Sequence, residues 1–347
     1  MLNCATPWWK WVLSFWAGLL FVGTLALIGI GGMVTSTGSG LAVPDWPTSY
    51  GYNMFLFPYE RWVGGVWIEH VHRLWAASVG LASVIFAIGV SLVRLPRSLQ
   101  WTAWGAVVLV VGQGVLGGYR VILVNNHLGW IHGCVAQVFL LVCLGMALKI
   151  WGVGQGGRLE IEALENERSV WRWRRQSALV LISIVFLQLV VGAAMRHEHA
   201  GLAVPDFPTA YGEWWPAVDA KRLALINEER HVRGWPPTTI AQIHLHMTHR
   251  LIALIITGLG AWWLWKNWRR RKIDQQIYPM WRVWNGVWGL LLILQLALGA
   301  MTVWSGKAAL IATMHVVTGA LLLCVLFVKW WIARALEARL TVGGDRL

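Results

Sequence analysis

Apolar residues run in blocks of roughly 20 along this chain, each long enough to cross about 30 Å of hydrocarbon at about 1.5 Å per helical residue. Eight such blocks stand near 11–35, 66–93, 101–124, 127–151, 176–196, 239–265, 280–304 and 309–334. Each predicts a membrane-spanning helix. The first is too long, and runs on into too ordered a loop, to read as a cleavable signal peptide. The polar stretches between blocks carry a second pattern. GLAVPDWPTSYG at 40–51 returns as GLAVPDFPTAYG at 201–212, each copy after an apolar block and before a histidine-rich one. The expected architecture is all-α and polytopic, with eight transmembrane helices arranged as two tandem homologous four-helix bundles. The first half is residues 1–151 and the second 176–347. The linker 152–175, combining glycines, acids and a basic cluster, lies between them.

Composition agrees with a membrane protein: 57% of 347 residues are hydrophobic and 13% charged. The net charge of +13 raises the question of nucleic acid, and position answers it. Of 29 Lys and Arg, 19 lie in the termini and alternate loops, among them Arg94, Arg97, Arg172 to Arg175 and Arg269 to Lys272, and eight lie on the opposite side. That excess predicts a bacterial-type inner membrane with both termini cytoplasmic and the two GLAVPD loops facing outward. Tryptophans such as Trp8, Trp62, Trp67, Trp101, Trp281, Trp330 and Trp331 are expected to form an interfacial belt. Four cysteines make neither CxxC nor CxxCH, which leaves covalent haem and zinc ribbons unsupported. In the second outer loop, EWWPAVDAKRLALINEERHV predicts an amphipathic helix lying on the membrane surface.

The chemistry-bearing residues are histidines inside the membrane. The second span reads Glu69-His70-Val71-His72-Arg73, the sixth His246-Met247-Thr248-His249-Arg250, the fourth offers His132 and the eighth His315. Aligning His-Arg with His-Arg matches His72 to His249. All four lie about five to ten residues inside the outer ends of even-numbered spans. Two bis-histidine sites for haem iron follow, His72 with His132 and His249 with His315. The competing reading of each is a hydrogen-bonded core residue. Arg73 and Arg250 are candidates for binding haem propionates, with snorkelling to lipid phosphate as the alternative. Glu69, one turn from His72 and matched by His246 in the other half, is the candidate catalytic acid, with a structural salt bridge to Arg73 as its rival. His70 and His244 are expected on other faces, and the loop histidines His127, His197, His199 and His231 in water.

These motifs together resemble haem A synthase across essentially the whole chain. The resemblance implies oxidation of the C8 methyl of haem O to a formyl group, through two hydroxylations and dehydration of a gem-diol, giving haem A for cytochrome oxidase. It implies His72 and His132 around the substrate porphyrin, His249 and His315 on haem b, and Glu69 as the acid. Haem O would come from a membrane farnesyltransferase or laterally from lipid. The electron donor, the oxygen source and any homo-oligomer stay open. Many members of that family carry a cysteine pair in the first outer loop, and residues 36–65 have none, so the chain resembles a cysteine-free subgroup. The alternatives are a diheme b-type cytochrome moving electrons from quinol without altering a porphyrin, and a transporter using histidines as proton relays.

Overall fold

The computed structural model describes residues 7–154, 168–270 and 278–344. It is helical throughout, in nine α-helices with short 3-10 turns among the described residues: α1 Trp8–Ser36, α2 Gly64–Leu92, α3 Arg97–Ile122, α4 Asn126–Trp151, α5 Arg168–His197, α6 Ala220–Val232, α7 Ile240–Arg269, α8 Met280–Trp304 and α9 Ala309–Gly344. All except α6 are long and apolar enough to cross a membrane, as the hydropathy pattern predicts. Their ends follow local chemistry. The Asn125 side chain accepts from the His127 and Leu128 amides to open α4. Thr239 and Gln242 form a capping box that opens α7. Gly152, with φ +69°, closes α4 in the left-handed conformation that glycine adopts without a Cβ clash.

One difference from the sequence expectation concerns the linker. Helix α5 begins at Arg168, so the basic cluster 172–175 is its first turns rather than loop. Residues 155–167, like Cys4 and Arg271–Lys272, lie outside the described residues. Arg172 and Arg175 bind Glu337 of α9 at 3.3 and 2.6 Å, tying those turns to the last helix.

Two closed rings of four helices result. In one, α1 packs on α2, α2 on α3, α3 on α4 and α4 back on α1; in the other, α5, α7, α8 and α9 close in the same way. The rings meet along α1 and α4 on one side and α5 and α9 on the other. Burial picks out the central helices: 56% of the apolar window of α9 and 44% of that of α4 are buried, against 28% or less elsewhere. Leu140, Leu144 and Leu148 of α4 share a core with Leu323, Leu326 and Ile332 of α9. At the outer end Arg196 of α5 donates to Gly32 O (2.7 Å) and Ser36 Oγ (2.8 Å) of α1, stitching the rings together.

The inner end of the second ring holds a feature the sequence concealed. Trp281, expected in the interfacial belt, is fully buried. Lys329 Nζ stands 3.8 Å from its ring centroid and the Arg174 guanidinium 4.8 Å from it. Its Nε1 donates to Asn267 Oδ1 at 2.9 Å. Lys329 and Arg174 are themselves at 0% exposure, held in the bundle by indole faces through cation–π attraction. Trp281→Ala is therefore expected to lower stability by about 3–5 kcal/mol. Trp101→Ala, at a ring 77% exposed, is expected to change it by about 0.5 kcal/mol or less. Thermal unfolding of the two variants in one detergent checks the contrast.

Candidate functional site

Each repeated outer peptide folds into the same turn, and an arginine from the histidine helix holds it. Asp45 accepts from Thr48 Oγ1 (2.5 Å), Tyr50 N (2.7 Å) and Gly51 N (2.9 Å). Asp206 accepts from Thr209 Oγ1 (2.8 Å), Tyr211 N (2.7 Å) and Gly212 N (3.0 Å). Tyr50 and Tyr211 then donate their hydroxyls to Ala42 O and Ala203 O. Gly51 and Gly212 follow with φ of +77° and +80°, which explains glycine at both places. Arg73 donates from Nη1 to Asp45 O (2.7 Å) and Thr48 O (3.0 Å), and from Nη2 to Val43 O (2.8 Å) and Glu69 Oε1 (2.7 Å). Arg250 donates to Thr209 O (2.8 Å), Asp206 O (2.6 Å) and Val204 O (3.4 Å). This differs from both expectations, propionate binding and snorkelling. The two guanidinium forks are committed to backbone carbonyls, because each loop folds back over its helix and leaves inward-facing carbonyls that need donors.

Glu69 is buried, with both oxygens engaged: Oε2 accepts from Val43 N at 2.9 Å and Oε1 from Arg73. Its counterpart His246 makes the matching bond, Val204 N to Nδ1 at 3.4 Å, and lies 3.2 Å from Ala200 O. The acid is thus part of the loop latch as well as a neighbour of His72. His70, expected on another face, is fully buried against Phe57 and Trp62 and lies 3.3 Å from Ser49 Oγ, so it pins the first loop.

The four intramembrane histidines share one environment. Each ring lies against a glycine of the preceding helix: a Cβ would come within 3.0 Å of His72 Cε1 at Gly31, 3.1 Å of His132 Cε1 at Gly117, 3.1 Å of His249 Cε1 at Gly192 and 3.2 Å of His315 Cε1 at Gly299. All four Nδ1 atoms are buried without a hydrogen-bond partner, while the residues keep partly accessible surface. The hydrogen-bonded core reading fails at that nitrogen for all four. Gln113 and Gln188 donate to the backbone carbonyls of His132 (3.3 Å) and His249 (2.9 Å), fixing the helices rather than the rings. Gln295 reaches His315 Nε2 at 3.4 Å.

The His249 and His315 pair also has the right separation for coordination. The His249 and His315 centroids are 6.3 Å apart. Imidazole nitrogens bind first-row metals at about 2 Å, and a ring centroid lies about 1 Å behind its nitrogen, so two rings sharing one metal stand roughly 6 Å apart. His72 and His132 lie within electrostatic reach of each other. Among the described residues no group of three or more His, Cys, Asp and Glu gathers as a metal cluster. Two imidazoles from the protein with four nitrogens from a tetrapyrrole make a complete iron coordination sphere.

Other polar groups at the outer ends escaped the sequence reading. His197, expected in water, packs on Gly129 of α4, where a Cβ would stand 2.6 Å from its ring. Arg120 of α3 lies over Gly40, and Lys307 of the α8–α9 loop over Gly201, the glycine that opens each repeated peptide. Helix α6 starts later than Trp214 and Trp215, both exposed, and buries Ile226 against Ala203 and Val204. Arg230 of α6 donates to Leu202 O at 2.9 Å, so the helix caps the second loop. His127, His199, His231 and His244 are exposed.

The loop latch carries a pH signature. Burial tends to raise the Asp45 and Asp206 carboxyls, but hydrogen bonds from the Gly51 and Gly212 amides, with those from the Thr and Tyr partners, outweigh it and hold both below 3.8. A lowered folded-state value means stabilisation that is full above the unfolded value and lost as pH falls through the folded one. Both loops are expected to resist proteolysis unchanged from pH 8 to about 5 and to loosen only below pH 3.8. Asp45→Asn and Asp206→Asn should each loosen one loop at neutral pH and remove its acid step. Hydrogen exchange of peptides 40–51 and 201–212 against pH measures this.

Residues 14–327 match the COX15-CtaA family, described as cytochrome oxidase assembly protein. The chain is similar to the protein named Heme A synthase of Cereibacter sphaeroides (strain ATCC 17025 / ATH 2.4.3), 26% identical over 370 residues, 96% of this chain and 90% of that one. The Heme A synthase of Caulobacter sp. (strain K31) is 28% identical over 354 residues, 86% of this chain and 93% of its own. That of Paracoccus denitrificans (strain Pd 1222) is 27% identical over 244 residues, 59% and 61% of the two chains. With a match running through both helical rings and both histidine pairs, this multi-pass membrane protein belongs to the COX15-CtaA family of cytochrome oxidase assembly proteins.

Proposed function

We propose that this chain is a haem A synthase, converting the C8 methyl of haem O to a formyl group to supply haem A to cytochrome oxidase. The observation that carries the reading is the set of four intramembrane imidazoles, each ring seated on a glycine with Nδ1 sealed and unpartnered, with the His249 and His315 rings facing at 6.3 Å. The names of its relatives support the product. His72 and His132 would hold substrate haem O in the first ring, residues 1–151. His249 and His315 would hold a resident haem b in the second, which begins at α5. Bound there, haem b supplies one-electron chemistry, and the α1, α4, α5 and α9 contact is the short route between the two sites. The lysine and arginine distribution supports an inner membrane with cytoplasmic termini. Both histidine pairs come from one chain, so each site is complete without a second copy.

The two halves differ at Glu69, one turn from His72, and that difference supports the first half as the reacting one. Glu69 carries a carboxylate where His246 stands in the second half. Arg73 and the Val43 amide hold the two Glu69 oxygens, with the Arg120 charge also acting on that carboxyl. One turn from His72, Glu69 would accept a proton as the substrate methyl is oxidised. The same bonds latch the loop, so orientation and proton transfer share one side chain.

Co-expression with a haem O source, followed by acid extraction and chromatography of the pigments, tests the reading. The full chain should yield haem A. Recovery of haem O and haem b unchanged would instead identify a diheme cytochrome. Glu69→Ala is expected to cut haem A by about tenfold or more and to accumulate haem O or a singly hydroxylated haem. A normal haem A yield from that variant removes Glu69 from the chemistry and leaves it only the latch.

A further inference from the structure

Resting on the haem reading, we infer that Arg120 and Lys307 are the seats for the propionate carboxylates, one in each half. Arg73 and Arg250, next to the iron-binding histidines in sequence, have their forks filled by loop carbonyls. Among the described residues Arg120 and Lys307 make no side-chain hydrogen bond, and each lies against the glycine that opens its repeated peptide. A Cβ at Gly40 would stand 2.8 Å from Arg120 Nη1, and one at Gly201 would stand 3.2 Å from Lys307 Cδ. The two cations therefore stand at matching positions against the two repeated peptides, and the Arg120 charge reaches His72 and His132.

They reach those positions from different sequence contexts. Counting from Gln113 and Gln295, Arg120 aligns with Thr302, and the second-half cation comes instead from the α8–α9 turn, where Lys307 takes φ +68°. A cation placed twice at one point by two routes marks a demand of the site rather than an inherited residue.

The surroundings make an anion welcome. The Arg120 charge acts on His72 and His132 and on Glu69, whose oxygens are already taken by Arg73 and the Val43 amide. Gly129 lets the Arg120 Nε edge and the His197 ring approach the α4 backbone, where a Cβ would stand 3.0 and 2.6 Å from them. Lys307 is half-buried beside Arg196. Burial first and the Arg196 charge second pull its ammonium below 10.5, the behaviour of a cation lacking a counter-charge. A carboxylate relieves both sites. The Arg120 fork binds it bidentately and Lys307 binds it as a point charge, so the first half, which takes the substrate, orients its porphyrin more strictly.

The test compares hemin with hemin dimethyl ester, which has the same iron and ring but no carboxylates. The full chain, purified in detergent from haem-limited cells, is titrated by its Soret band. In a His249→Ala/His315→Ala background, which leaves only the first site, hemin should bind about tenfold or more tightly than the ester. Arg120→Met should abolish that preference by weakening hemin alone. Lys307→Met should do the same in a His72→Ala/His132→Ala background. Equal affinity for hemin and ester before substitution, or equal loss of both on a Met substitution, overturns the assignment while leaving the haem reading standing. If Arg120→Met loses all binding, Arg120→Lys decides: a retained hemin preference supports the seat and an absent one overturns it. A chain that binds neither compound contradicts the haem reading itself.

Discussion

Four imidazole nitrogens are sealed inside a bilayer-spanning bundle with no partner, and the rest of the fold is arranged around that arrangement. An unsatisfied buried polar atom costs about 1–3 kcal/mol, so four of them stand as a considerable liability for a chain whose two fully buried histidines, His70 and His246, have Nδ1 within reach of Ser49 Oγ and of Val204 N and Ala200 O. The glycines show that the ring positions are set by packing. Gly31, Gly117, Gly192 and Gly299 each let one ring close to the neighbouring backbone, and a methyl group at any of them would drive it away. Two helical rings, each with its imidazoles at similar depth below the outer surface, are the simplest way to repeat that seat.

The outer loops serve the same end. A helix carrying a histidine about eight residues below its start needs its entry fixed, and the PDWP and PDFP turns do so through Asp45 and Asp206 from within and Arg73 and Arg250 from below. Glu69 joins this latch to the His72 helix. The same joint in the second half uses His246, which cannot offer a carboxylate. At this joint the two halves thus differ by one residue of a shared hydrogen-bond pattern.

Much of this was legible in the sequence because hydropathy reports spans directly and a close internal repeat matches residues without any alignment to other chains. That is why His72, His132, His249 and His315 could be paired. The latch made by the arginines was not legible for a physical reason: sequence gives depth along a helix, but not the loop that folds back over it, whose carbonyls at residues 43–48 and 204–209 accept from Arg73 and Arg250. Arg120, Lys307 and His197 were missed because they sit at helix ends and turns, and no repeat pairs them. The only trace was glycine at 40, 129 and 201, visible as composition and not as contact. Trp281 was expected in the interfacial belt and Arg174 in a loop cluster, and both are core, packed with Lys329, since a cation inside an indole cage has the same sequence signature as one at the membrane surface.

Tetrapyrrole stoichiometry tests the central claim most directly. The purified chain, reconstituted with hemin and assayed as its pyridine haemochrome, should bind two tetrapyrroles, fall to one when His72 and His132 are both replaced by Ala, fall to one when His249 and His315 are replaced, and bind none when all four are changed. Full binding surviving the loss of either pair, or a chain that stays colourless with all four histidines intact, would contradict it.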